Sequence, residues 1–212
     1  MWWQEWMVQA VVGIWKDEHG EMGSLSEDEQ GNVPILKYMK YLKPIQLFQE
    51  LLKTNQHKTN RLLGLDVGDK YVGLAISDVH NKVASPSSVL VRKKDNIDLM
   101  AGDFQLLISR LSLMGFVVGY PFNKQKNSAD AVQVNLFIND LCATGKLEGV
   151  NYTIWEECFS SKSMGFVLNP LDLHHVHKKT AMDKFAAVAI LQGYLDFVNR
   201  IQSSDSSEAS SE

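Results

Sequence analysis

A chain of 212 residues, 45% hydrophobic and 22% charged, has room for one domain with flanking pieces, or at most two small ones. No apolar run approaches the ~18–20 residues of a membrane-spanning helix. Two cysteines, Cys142 and Cys158, exclude a disulfide framework and point to a reducing, intracellular setting, the cytoplasm first, with nucleus or organelle left open.

The net charge of −4 is unevenly spread. Residues 1–38 set two lysines against seven acids, and four of the five tryptophans (Trp2, Trp3, Trp6 and Trp15) fall there. With no basic n-region and too many acids for a transit peptide, this stretch reads as an acidic, disordered extension. Ser203 to Glu212, SSDSSEASSE, has nothing from which to build a core and reads as a disordered tail, within the segment 201–212. Between them, residues 39–202 carry +4, which leaves nucleic acid open as a partner without demanding it.

Residues 39–60 form a helical lead-in. Pro44 suits a first helical turn, and apolar residues at helical spacing follow to Leu52. Leu62 to Val67 and Tyr71 to Ser77 are short apolar strands joined by Gly68, Asp69 and Lys70 as a hairpin. Ser88 to Val91 is a third strand. Ile97, Met100, Phe104, Leu107, Ile108 and Leu111 keep a helical period, and Phe116 to Val118 is the next strand. Val134, Phe137, Ile138 and Leu141 mark a second helix, Tyr152 to Glu156 a fifth strand, and Ala181 to Val198 a last helix. The order β-β-β-α-β-α-β-α over residues 61–200 predicts a mixed five-stranded sheet with helices on both faces.

Carboxylates at strand ends are the groups that would carry chemistry on such a sheet. Asp66 shares a strand face with Leu62 and Gly64, and an aspartate ending a buried strand is costly to ionise without a partner or a metal. It also precedes a hairpin, where Asp is common as a turn residue. Glu156 and Glu157 close the fifth strand on opposite faces, so only one can join Asp66; a solvated strand end is the plain reading of both. Thr180 and Asp183 have the T-x-x-D spacing of a helix start, which a capping role explains fully. Ala186 and Ala187 are small residues that would let the beginning of that helix lie close to the sheet.

Three stretches resemble the YqgF/RuvX family of Holliday junction resolvases: Gly64 to Asp78 (GLDVGDKYVGLAISD), Val117 to Phe122 (VVGYPF) and Met182 to Leu195 (MDKFAAVAILQGYL). The resemblance spans about Arg61 to Arg200 and is nearest to plant members, which begin near a segment like Met39-Lys40-Tyr41. Residues 1–38 then stand outside the family, as an extension or a misassigned start. The resemblance implies a ribonuclease H-like α/β fold and Mg²⁺- or Mn²⁺-dependent nuclease chemistry, with Asp66, Glu157 and Asp183 as catalytic, metal-binding acids. It links the chain to branched DNA and to structured RNA at the 5′ end of pre-16S ribosomal RNA without choosing between them. It also leaves room for a homodimer, for which the sequence offers no interface.

One motif departs from the family. The Asp-Glu-Arg expected after the fifth strand is Glu156-Glu157-Cys158. A thiol has neither the fixed charge nor the planar fork of a guanidinium, and losing such a group is worth roughly 10²–10³ in rate. A nucleic-acid-binding module that has lost catalysis is therefore the second reading. Lys178 and Lys179 neighbour Asp183, and Lys70, Lys124 and Lys126 follow strands, so all five are candidate contacts to a nucleic-acid backbone, or else solvated surface. His174, His175 and His177 lack a completing ligand at metal spacing and read as a surface loop. A sugar- or acetate-kinase-like phosphate cradle at the Asp-x-Gly hairpin is a third reading, and ~140 residues suit only one of the two domains such enzymes use.

Overall fold

The computed structural model describes residues 39–55, 60–93, 96–121, 128–157 and 175–208. All of them fall within the unit Lys37–Glu212. The expectations for residues 1–38, and those for Lys124, Lys126, Cys158 and His174, lie outside the described residues.

The elements, in chain order, are β1 (Lys40–Tyr41), α1 (Pro44–Asn55), β2 (Arg61–Val67), β3 (Tyr71–Ser77), β4 (Ala84–Val91), α2 (Ile97–Leu111), β5 (Leu113–Pro121), α3 (Ala129–Ala143), β6 (Asn151–Glu157) and α4 (His175–Glu208). The sheet runs β1-β6-β5-β2-β3-β4. β2, β3 and β4 form an antiparallel meander, while β5 pairs parallel to β2, β6 parallel to β5 and β1 parallel to β6. This is the mixed sheet with helices on both faces that was expected, with one strand more than the five predicted: a two-residue edge strand is too short to leave a period in sequence.

Alternation along the strands builds two cores. Leu63, Leu65, Val72, Leu74, Phe116 and Val118 face α2 and α3, where Phe104 and Phe137 are fully buried. Leu62, Ala75 and Val117 face the other way, against Leu47 and Leu51 of α1 and Ala187, Leu191, Tyr194 and Leu195 of α4. The Tyr194 hydroxyl donates to the Pro44 carbonyl at 2.9 Å and ties the two helices on that face together. No helix of the described residues is long and apolar enough to cross a membrane.

Three boundaries differ from expectation. β4 begins at Ala84 rather than Ser88, with Pro86 inside it; an edge strand has solvent-facing N–H positions where a proline removes nothing from the ladder. α4 begins at His175 rather than Ala181, so Thr180 and Asp183 lie inside the helix and the capping role for that pair is excluded. The same helix continues to Glu208, into the serine-rich stretch read as a disordered tail. There the Ser203 and Ser204 hydroxyls donate to the carbonyls of Asn199 and Ile201 at 2.9 and 2.7 Å, a local pairing that lets serine sit in a helix.

Candidate active site

Asp66 is a ladder residue. It pairs with Gly73 across the β2–β3 hairpin, so it belongs to the strand and precedes the turn. Its face is that of Leu62, which packs in the α4 core, and of Gly64. Gly64 has no room for a side chain: a Cβ there would lie 2.7 Å from the Leu191 Cβ and 2.9 Å from the Ala187 carbonyl oxygen. The glycine on the strand and the alanine on the helix together allow this approach, as the small residues of the last helix suggested.

That contact sets the level of Asp183. Moving two residues along β2 from Gly64 to Asp66 advances about 6.6 Å. Moving four residues back along α4 from Ala187 to Asp183 advances about 6 Å on the same side of the helix. Asp183 is thus one helical turn from the residue that abuts Gly64, in the direction in which Asp66 lies.

The register of the parallel strands sets the sheet face of each glutamate position. Leu65 pairs with Val118, so the ladder continues Asp66 to Gly119, and Gly119 pairs with Trp155. Trp155 packs on the α4 side, its ring 5.7 Å from Tyr194 and 5.1 Å from Phe197. Tyr152 belongs to the opposite core. By alternation position 157, opposite Pro121, shares the face of Trp155 and of Asp66, while Glu156 takes the other face and is exposed. Gly119 separates Asp66 from β6 without interposing a side chain; a Cβ there would meet the Ile190 side chain.

β2, β5 and β6 run parallel, so positions 66 and 157 stand at their carboxyl ends, the edge where sheets of this class form their crevices. The backbone therefore brings positions 66, 157 and 183 to one face and one edge. The side chains of Glu157 and Asp183 are outside the described set, as are those of Lys178, Lys179, His175 and His177 in the first turns of α4. Among the described residues no group of three His, Cys, Asp or Glu side chains is placed to hold a metal ion. Lys70 is exposed on the turn that follows Asp66. An open cleft of about 420 Å³ lined by Lys82, Asp196, Asn199, Gln202 and Ser203 lies beside the β3–β4 turn, away from these positions.

One residue at this edge was not singled out in the sequence. Arg92 follows β4, and its backbone N–H donates to the Lys70 carbonyl at 2.8 Å. Its Nη1 donates to the Gly68 carbonyl at 3.2 Å and to Gln133 Oε1 of α3 at 3.0 Å, and its guanidinium carbon lies 5.2 Å from the centre of the Phe137 ring. The only sequence signal is that a basic run follows an edge strand.

Comparison with known proteins agrees with the motif pattern. A family model described as "RuvX: Holliday junction resolvase" matches residues 60–197. A protein of Zymomonas mobilis, provisionally designated a pre-16S rRNA nuclease, is 32% identical over 170 residues, 80% of this chain and 96% of its own length. Proteins of Lachnospira eligens and Syntrophomonas wolfei with the same provisional designation are 32% and 36% identical, each over 64% of this chain and over 96% and 94% of their own lengths. Among solved structures, Thermus thermophilus RuvC in complex with a Holliday junction substrate aligns at 15% identity and a TM-score of 0.43, over 66% of this chain and 96% of RuvC. The yeast mitochondrial Holliday junction resolvase aligns at 12% identity and a TM-score of 0.36, over 73% and 90%.

Proposed function

Because the chain belongs to the RuvX family of Holliday junction resolvases, we propose that it is a divalent-metal-dependent nuclease that hydrolyses phosphodiester bonds in structured nucleic acid. The observation that carries this reading is the convergence of positions 66, 157 and 183 on one face at the carboxyl edge of the parallel strands.

The donor set is all carboxylate, which suits Mg²⁺ or Mn²⁺ and ill suits softer metals. Bound there, such ions supply an activated water and neutralise charge on the scissile phosphate. The chain's own task is to hold the acids in register. β2 fixes Asp66 through the hairpin ladder, β6 fixes Glu157 two residues past Trp155, and the close packing of Gly64 on Ala187 fixes the height of Asp183. Lys70 beside the first acid, and Lys178 and Lys179 one turn ahead of the third, are proposed contacts to the substrate backbone.

The family description names a DNA junction, and the relatives' designations name a ribosomal RNA precursor. A metal-titrated assay on a four-way DNA junction and on a pre-16S 5′-end transcript separates the two. Cleavage of at least one substrate should require Mg²⁺ or Mn²⁺ and should be lost in Asp66→Asn. Binding without metal-dependent cleavage, with activity gained in Glu156→Asp combined with Cys158→Arg, would instead establish the non-catalytic module. Neither the family match nor the relatives favour that second outcome.

A further inference from the structure

Arg92 has a task left over after its structural contacts are counted. A guanidinium carries five N–H donors. Among the described residues, both side-chain hydrogen bonds of Arg92 leave from Nη1, to Gly68 O and Gln133 Oε1. Among the described residues no carboxylate forms an ion pair with it; the salt bridges there are Lys53 with Glu50 and Lys146 with Asp98. The Nε–Nη2 edge, which has the geometry to hold one phosphate with two parallel hydrogen bonds, is left without a protein partner among those residues.

The position suits that use. β4 runs parallel to β2, because each is antiparallel to β3, so Arg92 stands at the same carboxyl edge as Asp66. Its Nη1 grips the carbonyl two residues after Asp66. The ring of Phe137 supports the guanidinium plane, at a distance where the cation and the ring attract. Lys70 and Lys93 are exposed, with Asp69 as the acid in the turn of Lys70. A cation held in place by three contacts loses little freedom on meeting a ligand, unlike a surface lysine.

We propose that Arg92 is a substrate-binding residue: its Nε–Nη2 edge takes a backbone phosphate of the nucleic acid, while Nη1 holds the turn behind Asp66. This rests on the nuclease reading and deepens it, by naming a fixed cation on the α3 side of the same carboxyl edge.

The test is the salt dependence of binding by the full chain, measured without metal on the DNA junction and the RNA transcript. Each phosphate contact adds about 0.9 to the slope of log affinity against log salt on duplex DNA and about 0.7 on single strands. Arg92→Gln should weaken binding roughly ten- to a hundred-fold and flatten the slope by that amount. Arg92→Lys keeps the charge and the stem over Phe137, so it should keep the slope and lose a smaller factor; it also serves if the glutamine variant folds poorly. Lys82→Gln, in the cleft at the other edge, should leave both quantities at the wild-type value. Equal losses in the two Arg92 variants with unchanged slopes would make Arg92 a brace for the turn and overturn the proposal, as would wild-type affinity in both. No metal-free binding by a wild-type chain that still cleaves with Mg²⁺ or Mn²⁺ would overturn this proposal alone; neither binding nor cleavage would overturn the nuclease reading and this proposal with it.

Discussion

Asp66 and Asp78 stand at either end of β3's two connections, at opposite edges of the sheet, and in sequence they look alike: each comes at the end of an apolar strand with a turn close behind. The structure uses them differently. Asp78 Oδ1 accepts from the backbone N–H groups of Lys82 and Val83 at 2.7 and 3.0 Å, closing the β3–β4 turn. Around it Ser77, Asn81, Gln192 and Asn199 exchange hydrogen bonds with Leu62 N, Asn60 O, Ala84 N, Lys82 O and Asn81 O, so the turn is fastened to α4. Asn81 adopts a left-handed backbone, φ 53°, within that network. Asp66, by contrast, lies within the ladder, on the face that α4 covers and beside a glycine on the next strand. An aspartate that ends a strand can be spent on its own turn or kept on a face; the difference lies in whether the ladder continues past it.

The sharpest way to break this contrast is to substitute both acids and read two quantities. Asp66→Asn should lower metal-dependent cleavage by 10²-fold or more, the scale on which removing one electrostatic contact to the reacting centre acts, with little change in Tm. Asp78→Ala should do the reverse, leaving cleavage intact and removing about 1–2 kcal/mol of stability through the lost N–H partners. If Asp66→Asn melts the protein and spares cleavage, both aspartates are turn residues and the site is misread.

The second prediction concerns what holds Asp183 at its level. Gly64→Ala must push Leu191 and the Ala187 carbonyl away, and overpacking of that kind costs about 1–3 kcal/mol. Because α4 would lift near Asp183, cleavage should fall more steeply than stability alone accounts for. Gly102→Ala on α2 is the matched control: nothing lies within 4 Å of its Cβ position, and a helical alanine should add up to about 1 kcal/mol. Equal Tm values for the two variants would remove the close contact from the account of the site.

Much of this is legible in the sequence. The strand and helix periods located the meander, the hairpin turn and the two helical layers, because each strand buries one or both faces and each helix one stripe. What was missed has physical reasons. Pro86 and the serines around it hide the first half of β4, since an edge strand tolerates them. His175 to Thr180 carry no apolar stripe, so the helix begins before its period does, and Thr180 with Asp183 imitates a cap. Parity alone left Glu156 and Glu157 undecided; the ladder from Asp66 through Gly119 to Trp155 settles which face each takes. Arg92 was invisible because its partners, Gly68 O and Gln133, lie 24 and 41 residues away.

The wired edge also predicts a pH signature. Burial alone would raise the carboxyl of Asp78, but the N–H groups of Val83, Lys82 and His80, with the His80 charge, outweigh it and hold the group below its ordinary 3.8. A group whose folded value is depressed stabilises the fold fully above its unfolded value and loses that contribution as pH falls through the folded one. The stability gap between wild type and Asp78→Asn should thus be constant from neutral pH down to about 4 and narrow at lower pH. A gap that instead opened on acidification, in denaturant melts at pH 7, 4 and 2.5, would contradict the hydrogen-bond account of this turn.

The smallest effect tests the same contrast with neutral groups. Ser77 and Thr153 are both buried hydroxyls on the α4 side of the sheet, 1% and 0% exposed. The Ser77 oxygen accepts from Leu62 N at 2.9 Å and donates to Asn81 Oδ1 at 2.6 Å. The Thr153 oxygen has no hydrogen-bond partner among the described residues. An unmade buried hydrogen bond costs the full desolvation of the group, whereas a made one is worth about 1 kcal/mol net. Thr153→Val removes the polar atom and keeps a β-branched shape suited to a strand, so it should raise stability by up to about 1 kcal/mol. Ser77→Ala should lower it by about 1–3 kcal/mol, because it strands the Leu62 N–H in the core. Chemical denaturation of the two variants decides the matter, since a loss in Thr153→Val as large as that in Ser77→Ala would mean that the Thr153 hydroxyl is engaged after all.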